Sequence, residues 1–238
     1  MIDVVAALVL TGLAIGVAGA LIFTSPVGQV GARRLAVGAA AWFLVVAGLA
    51  AAGLFSAASP VGTPAIAVAV VAPVLVLAIG AARVPSLRAL TFGVPLAVLA
   101  LVHVGRLLGA FFLALHADGR LPRTFATCAG WGDIGVALLA LPVAWAVHRR
   151  VAGWWPLTLA WNTVGLVDLV AAVVLGVGSS SSPLRFIHES PDSGAMGTLP
   201  WLLIPGFLVP IFILAHLAVF VRLALDQRAS PSPVPLRP

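Results

Sequence analysis

Residues 90–116 read LTFGVPLAVLALVHVGRLLGAFFLALH, an apolar run interrupted by His103 and by one permanent charge, Arg106. Roughly 20 predominantly apolar residues in a helix cross the hydrocarbon of a bilayer. The run is therefore read as a membrane-spanning helix, and its Arg as a charge held there for a reason.

Six more runs of this kind surround it, at about 4–23, 35–55, 64–82, 125–147, 154–177 and 200–224. Short breaks rich in Pro, Gly, Ser and Arg separate them. The expected fold is an all-α integral membrane protein, a single seven-helix domain over residues 1–228. The one long break, 178–199, holds Ser179 to Ser182, Arg185, His188, Glu189 and Asp192, and reads as a surface loop. The end of the chain, 229–238, reads as a Pro-rich cytoplasmic tail.

Composition supports the same class. Of 238 residues, 62% are hydrophobic and 8% charged, against about 25% charged in soluble domains. A mean hydropathy of +1.17 excludes a water-soluble enzyme, a disordered tail and a collagen-like chain. Gly (24) and Pro (18) are frequent, as in membrane helices. Cys128 is the single cysteine, so no intramolecular disulfide or multi-cysteine metal site can form.

The chain has no Lys, so all 13 basic residues are Arg, and the net charge is +6. In a soluble protein this would suggest nucleic acid. Here the Arg residues are split among membrane-flanking breaks, and no nucleic-acid partner is expected. Arg33, Arg34, Arg83, Arg88, Arg149, Arg150, Arg222, Arg228 and Arg237 collect on one side. Arg120, Arg123 and Arg185 collect on the other, with Asp3, Asp118, Glu189 and Asp192. The positive-inside rule then puts the N-terminus outside and the C-terminus in the cytoplasm, in a multipass protein of the cell membrane. The first run starts Met1-Ile2-Asp3 and has its Arg pair after it, so it reads as a retained helix rather than a signal peptide.

Within the bilayer, helices 1 to 3 carry no ionisable group beyond Asp3 and flanking Arg. Helices 4 to 7 carry His103, Arg106, Asp133, Asn162, Asp168 and His216. Counting from the midpoint of each run, Arg106, Asp133 and Asp168 each fall about 4.5 Å outward of the bilayer centre. One layer thus collects an Arg and two carboxylates. A guanidinium can bridge both by paired hydrogen bonds, and one negative charge is left over. The spare charge makes the layer a candidate for binding a proton or cation. A structural clamp that only locks the helices is the competing reading.

Trp161, Gly165 and Asp168 share one face of helix 6, and His103 shares a face with Arg106. Trp131 and Trp161 are expected as walls of the site, and Asn162 as a hydrogen-bonding residue between helices. Pro205 and Pro210 are expected to kink helix 7. Gly12-x-x-x-Gly16 and Gly105-x-x-x-Gly109 suggest close helix contacts. His116, Asp118, Arg120, Arg123, His188 and Glu189 read either as the rim of an outer vestibule or as solvated loop residues. The segments around His116, Leu121-Pro122, Gly132-Asp133, Trp161-Asn162 and Asp168-Leu169 resemble those of a class of small bacterial multipass proteins. That resemblance implies the fold and carries no activity.

Several functions are excluded or demoted. A microbial rhodopsin needs a Lys for its retinal, and there is none. Seven-helix zinc hydrolases use three His, with a His-x-x-x-His pair on the last helix, where this chain has His216 alone. A mixed metal site from His116, Asp133 and Asp168 stays open by residue type, as does a haem between His103 and His216. No P-loop, nucleophile elbow or dinucleotide fingerprint is present. The expected function is non-enzymatic: binding or translocation of a small solute, proton or cation at Arg106, Asp133 and Asp168. A metal- or haem-dependent membrane enzyme using His103, His116 or His216 is the runner-up, and a structural or accessory subunit the third reading. No cofactor is favoured, and the expected partners are the lipid bilayer and a small solute, proton or cation.

Overall fold

In the computed structural model, residues 1–56, 59 and 61–229 are described, and no strand occurs among them. The helices are α1 (Ile2–Thr24), α2 (Gly28–Ala51), α3 (Gly62–Arg83), α4 (Pro85–Gly93), α5 (Leu96–Leu101), α6 (Gly109–Ala117), α7 (Arg123–Arg149), α8 (Trp154–Gly178) and α9 (Val209–Ala229). A 3-10 segment, Val102–Leu108, runs straight from α5 into α6, and a π-helical turn, Ile204–Leu208, leads into α9. Seven of the resulting rods are long and apolar enough to cross a membrane, with Leu96–Ala117 and Ile204–Arg228 each counting as one. The protein is a multipass, membrane-type helical bundle. Residues 230–238 of the expected tail lie outside the described residues, while Ala229 closes α9.

The run expected at 90–116 is two elements, because Pro95 interrupts it. The residue before a proline is pushed out of the α region, and Val94 is extended at φ −63°, ψ 133°. Short α4 therefore stands apart from the span that starts at Leu96. The break is sealed by Arg222 of α9, whose Nη1 donates to the carbonyl of Phe92 and, at 2.9 Å, to that of Val94. Arg88 does the same for the end of α3, donating to Ala81 and Ala82 at 3.2 and 2.9 Å. Cations at these carbonyl-rich ends also oppose the negative pole of the helix dipole.

The core lies around α7, which packs against α5, the 3-10 segment, α6 and α8. At the opposite end from Arg88 and Arg222, Asp3 accepts from Arg120 at 3.0 Å and from the indole of Trp201 at 2.8 Å. That contact pins the start of α1 to the approach to α9. The loop 178–199 is tied down as well. Glu189 accepts from the backbone N–H of Thr124 at 2.9 Å and from its hydroxyl, capping the first turn of α7 from a distant segment. Arg185 braces this loop by donating to the carbonyls of Ile187 and Glu189.

Candidate functional site

Arg106 sits in the 3-10 segment and is 0% exposed. Its Nε donates to Asp133 Oδ1 of α7 at 2.6 Å, and its Nη2 to Asp168 Oδ2 of α8. Its Nη1 donates to the carbonyl of Gly165 at 2.9 Å and faces Nε2 of His216 at 3.3 Å. All three nitrogens are thus engaged by three different helices. The layer expected from Arg106, Asp133 and Asp168 is present as a buried cluster.

The protonation pattern of His216 follows from its partners. A guanidinium only donates, so Nε2 of His216 is an acceptor. Nδ1 then carries the proton and donates to Asn162 Oδ1 at 2.7 Å. Asn162 returns a bond from Nδ2 to the His216 carbonyl at 3.1 Å. His216 is held neutral in one tautomer, and Asn162 joins α8 to α9 as expected for an interhelical hydrogen-bonding residue. With His216 neutral, two carboxylates face one Arg, so the cluster carries one negative charge in excess unless one carboxyl holds a proton.

Glycines make the close approach possible. A Cβ at Gly132 would overlap the Asp168 carboxylate, and one at Gly165 would lie 2.5 Å from His216 Cε1. At Gly109 it would meet Asp133 Cβ and the Gly130 carbonyl, each at 2.6 Å. Each missing side chain is the space in which a member of the cluster sits.

The other expected residues divide. His103 is fully buried and stacks on His216, with ring centroids 3.9 Å apart and planes at 29°. Trp161 meets His103 edge-on at 5.3 Å and donates to the Val136 carbonyl at 3.1 Å, so it walls the site. Neither ring nitrogen of His103 has a hydrogen-bond partner among the described residues. Trp131 is not brought in. It is 64% exposed on the outside of the bundle, because residues two apart on a helix do not share a face. His116 is also distant in role, its Nδ1 facing the Leu121 carbonyl at 3.1 Å.

The stacked rings of His103 and His216 leave no space for a porphyrin between them, and both nitrogens of His216 are already engaged. A bis-histidine haem does not fit this pair. Nor do His116, Asp133 and Asp168 converge: among the described residues no group of three His, Cys, Asp or Glu is placed to hold a metal.

A cavity of about 90 Å³ reaches the cluster. Ser180, Ser181 and Ser193 of the 178–199 loop line it together with Phe112, Phe125 and Asp133. Ser179 Oγ, next in the chain to Ser180, is buried with no partner among the described residues. The expected rim residues do not line this cavity. Arg120, Asp118 and Asp3 form their own surface pairs, and Glu189 caps α7.

Sequence reasoning missed His216 and the Gly165 carbonyl as direct partners of Arg106. The run at 200–224 placed His216 about 7 Å inward of the centre. The observed span Ile204–Arg228 is centred on residue 216 itself. A backbone acceptor such as Gly165 leaves no mark in sequence beyond the glycine that exposes it.

The chain belongs to the family described as "Domain of unknown function (DUF8737)", whose model matches residues 63–224. The match starts in the first turn of α3 and ends within α9, so it takes in every member of the cluster, while α1 and α2 precede it. No curated protein and no solved structure matches the chain.

Proposed function

We propose that this member of the family binds a proton or a small monovalent cation at the Asp133 side of the Arg106 cluster. The observation that carries the reading is the cavity that Asp133 lines. Buried Asp133 and part-buried Asp168, with only one Arg between them, favour a further positive charge in a low-dielectric site. The cavity supplies a route for one, with room for a few waters or a single partly hydrated ion. Serine hydroxyls in its lining suit an ion shedding water, and the apolar walls raise the attraction of the carboxylate.

The Arg asymmetry supports an orientation with the N-terminus outside and the C-terminus in the cytoplasm of a cell membrane. On that orientation the cavity opens outward. The closed hydrogen bonding of Arg106 favours a second reading, in which the cluster is a clamp and nothing more.

Proton counting separates them. Purified protein in weakly buffered detergent is held in a pH-stat while NaCl, KCl or methylammonium chloride is added. Exchange of a bound proton for a cation releases acid from the wild type and none from Asp133→Asn. If no salt releases protons from the wild type and its acid–base titration matches that of Asp133→Asn, the clamp reading stands and the binding reading falls.

A further inference from the structure

A second void lies at the opposite end of the bundle, and Asp133 is not among the residues that line it. It measures about 450 Å³ and is bounded by α1, α2, α3, α4, α5, the π turn and α9. Its lining contains only three polar side chains: Arg34, Trp42 and Thr91. Two of these are spent within the protein. The Trp42 indole donates to the Gly206 carbonyl at 3.0 Å, and the Thr91 hydroxyl donates to the Leu87 carbonyl at 2.9 Å. Arg34 is different. It is exposed and, like Arg33, Arg83 and Arg149 at the same end, has no carboxylate or carbonyl partner among the described residues, but it is the one of these that lines the void.

An apolar void with one unspent cation matches a molecule of complementary build, a hydrocarbon chain ending in an anion. The size agrees. At about 450 Å³ it is many times the space one water-sized group needs, so it admits a hydrocarbon chain. Its level agrees as well, since it runs among membrane-spanning helices, where hydrocarbon rather than water is the available filler. Arg34 lies seven positions into α2, at the end of the bundle that also carries Arg33, Arg83 and Arg149, where an anionic headgroup would be attracted.

We propose that this void is a binding site for one acyl chain of an anionic phospholipid, with Arg34 at its phosphate. The lipid completes the packing of α2, which otherwise touches the bundle sparsely. The site is separate from the Arg106 cluster, so it stands or falls without the proposed ion binding.

Gly38 provides the decisive variant. It lines the void, and a Cβ added there has nothing within 4 Å, so Gly38→Phe fills the space without striking backbone. Native mass spectrometry of detergent-purified protein, stripped of lipid and offered phosphatidylglycerol or phosphatidylcholine, reads occupancy directly. The wild type is expected to keep one phosphatidylglycerol and to prefer it over phosphatidylcholine about fivefold, the effect of one Arg near a lipid surface. Gly38→Phe loses the bound lipid, and Ala72→Leu, which intrudes from the α3 wall, loses it too. Arg34→Gln keeps a lipid but not the preference. Size-exclusion profiles matching the wild type show that each variant is folded. A wild type that retains no lipid, filled variants that retain it unchanged, a preference that survives in Arg34→Gln, or a protein dimer in place of the lipid adduct would each overturn the proposal.

Discussion

The first two helices and the last four spans are built on opposite terms. In α1 and α2 the most apolar windows are 28% and 11% buried, against 50%, 50% and 61% in the spans starting at Leu96, Arg123 and Ile204. α1 and α2 are unbroken α-helices with no charged group buried among them. The span from Leu96 contains a 3-10 segment, and the last span opens with a π turn. Irregular backbone in a membrane survives only where neighbouring protein satisfies the freed polar groups. In those two spans dense burial, irregular backbone and buried ionisable side chains occur together. α7 shares the burial and carries Asp133 on an unbroken helix, and α1 and α2 have none of the three. α8 is the informative exception. Its window is only 22% buried, yet it presents Asn162, Gly165 and Asp168 along a single inward stripe.

The contrast can be broken by mutation. Its largest consequence is at Arg106. Arg106→Met leaves buried Asp133 and part-buried Asp168 without their cation, and a loss of about 3–5 kcal/mol is expected. Leu8→Ala, at a position 73% exposed on α1, should stay within about 0.5 kcal/mol of wild type. Reversible denaturation in mixed detergent measures both, and comparable losses would erase the distinction between the two regions.

Glycine gives the next largest difference. Gly132→Ala and Gly165→Ala drive a methyl into Asp168 and His216, and each should cost about 1–3 kcal/mol. Gly12→Ala and Gly16→Ala in α1 meet nothing within 4 Å and should be neutral or stabilising by up to about 1 kcal/mol. The same unfolding assay decides it. Destabilisation by the α1 pair would show that this face is packed after all.

The smallest effect is expected outside the membrane, at Glu189. Hydrogen bonds from the Thr124 hydroxyl and backbone hold its carboxyl below the ordinary value of 4.5. A depressed folded value means that the ionised form stabilises the fold. Its contribution is present above about pH 4.5 and fades as pH falls through the lower folded value. Melting curves of wild type and Glu189→Gln should differ at neutral pH and converge in acid. A gap that stays constant with pH would show that the carboxylate's charge is irrelevant to the cap.

Much of this was readable in advance, for a physical reason. Charges at membrane depth are so costly that Arg106, Asp133 and Asp168 had to find one another, and midpoint counting placed them in one layer. The same counting failed at His216, because the π turn and the late start of the last span move that residue to mid-bilayer. Trp131 was misplaced by its neighbours Gly130 and Gly132, which suggest a cavity, although its two-residue spacing from Asp133 turns it outward. The break at Pro95 was visible in the opening stretch itself, where a single run of apolar residues concealed two helices. Cavity shape was not legible at all, since it depends on how loosely α2 packs.

The π turn at Ile204–Leu208 also acts as a phase setting. A helix advances about 100° per residue, so a chain shortened by one residue there would deliver every later side chain of α9 to a new bearing. His216 would swing away from Arg106 and Asn162 together, although neither its identity nor its neighbours in sequence had changed. The Trp42 indole, bonded to the Gly206 carbonyl within that turn, works as the detent that keeps the dial in place. A residue on the peripheral second helix thus has a hold on the angular alignment of the central cluster.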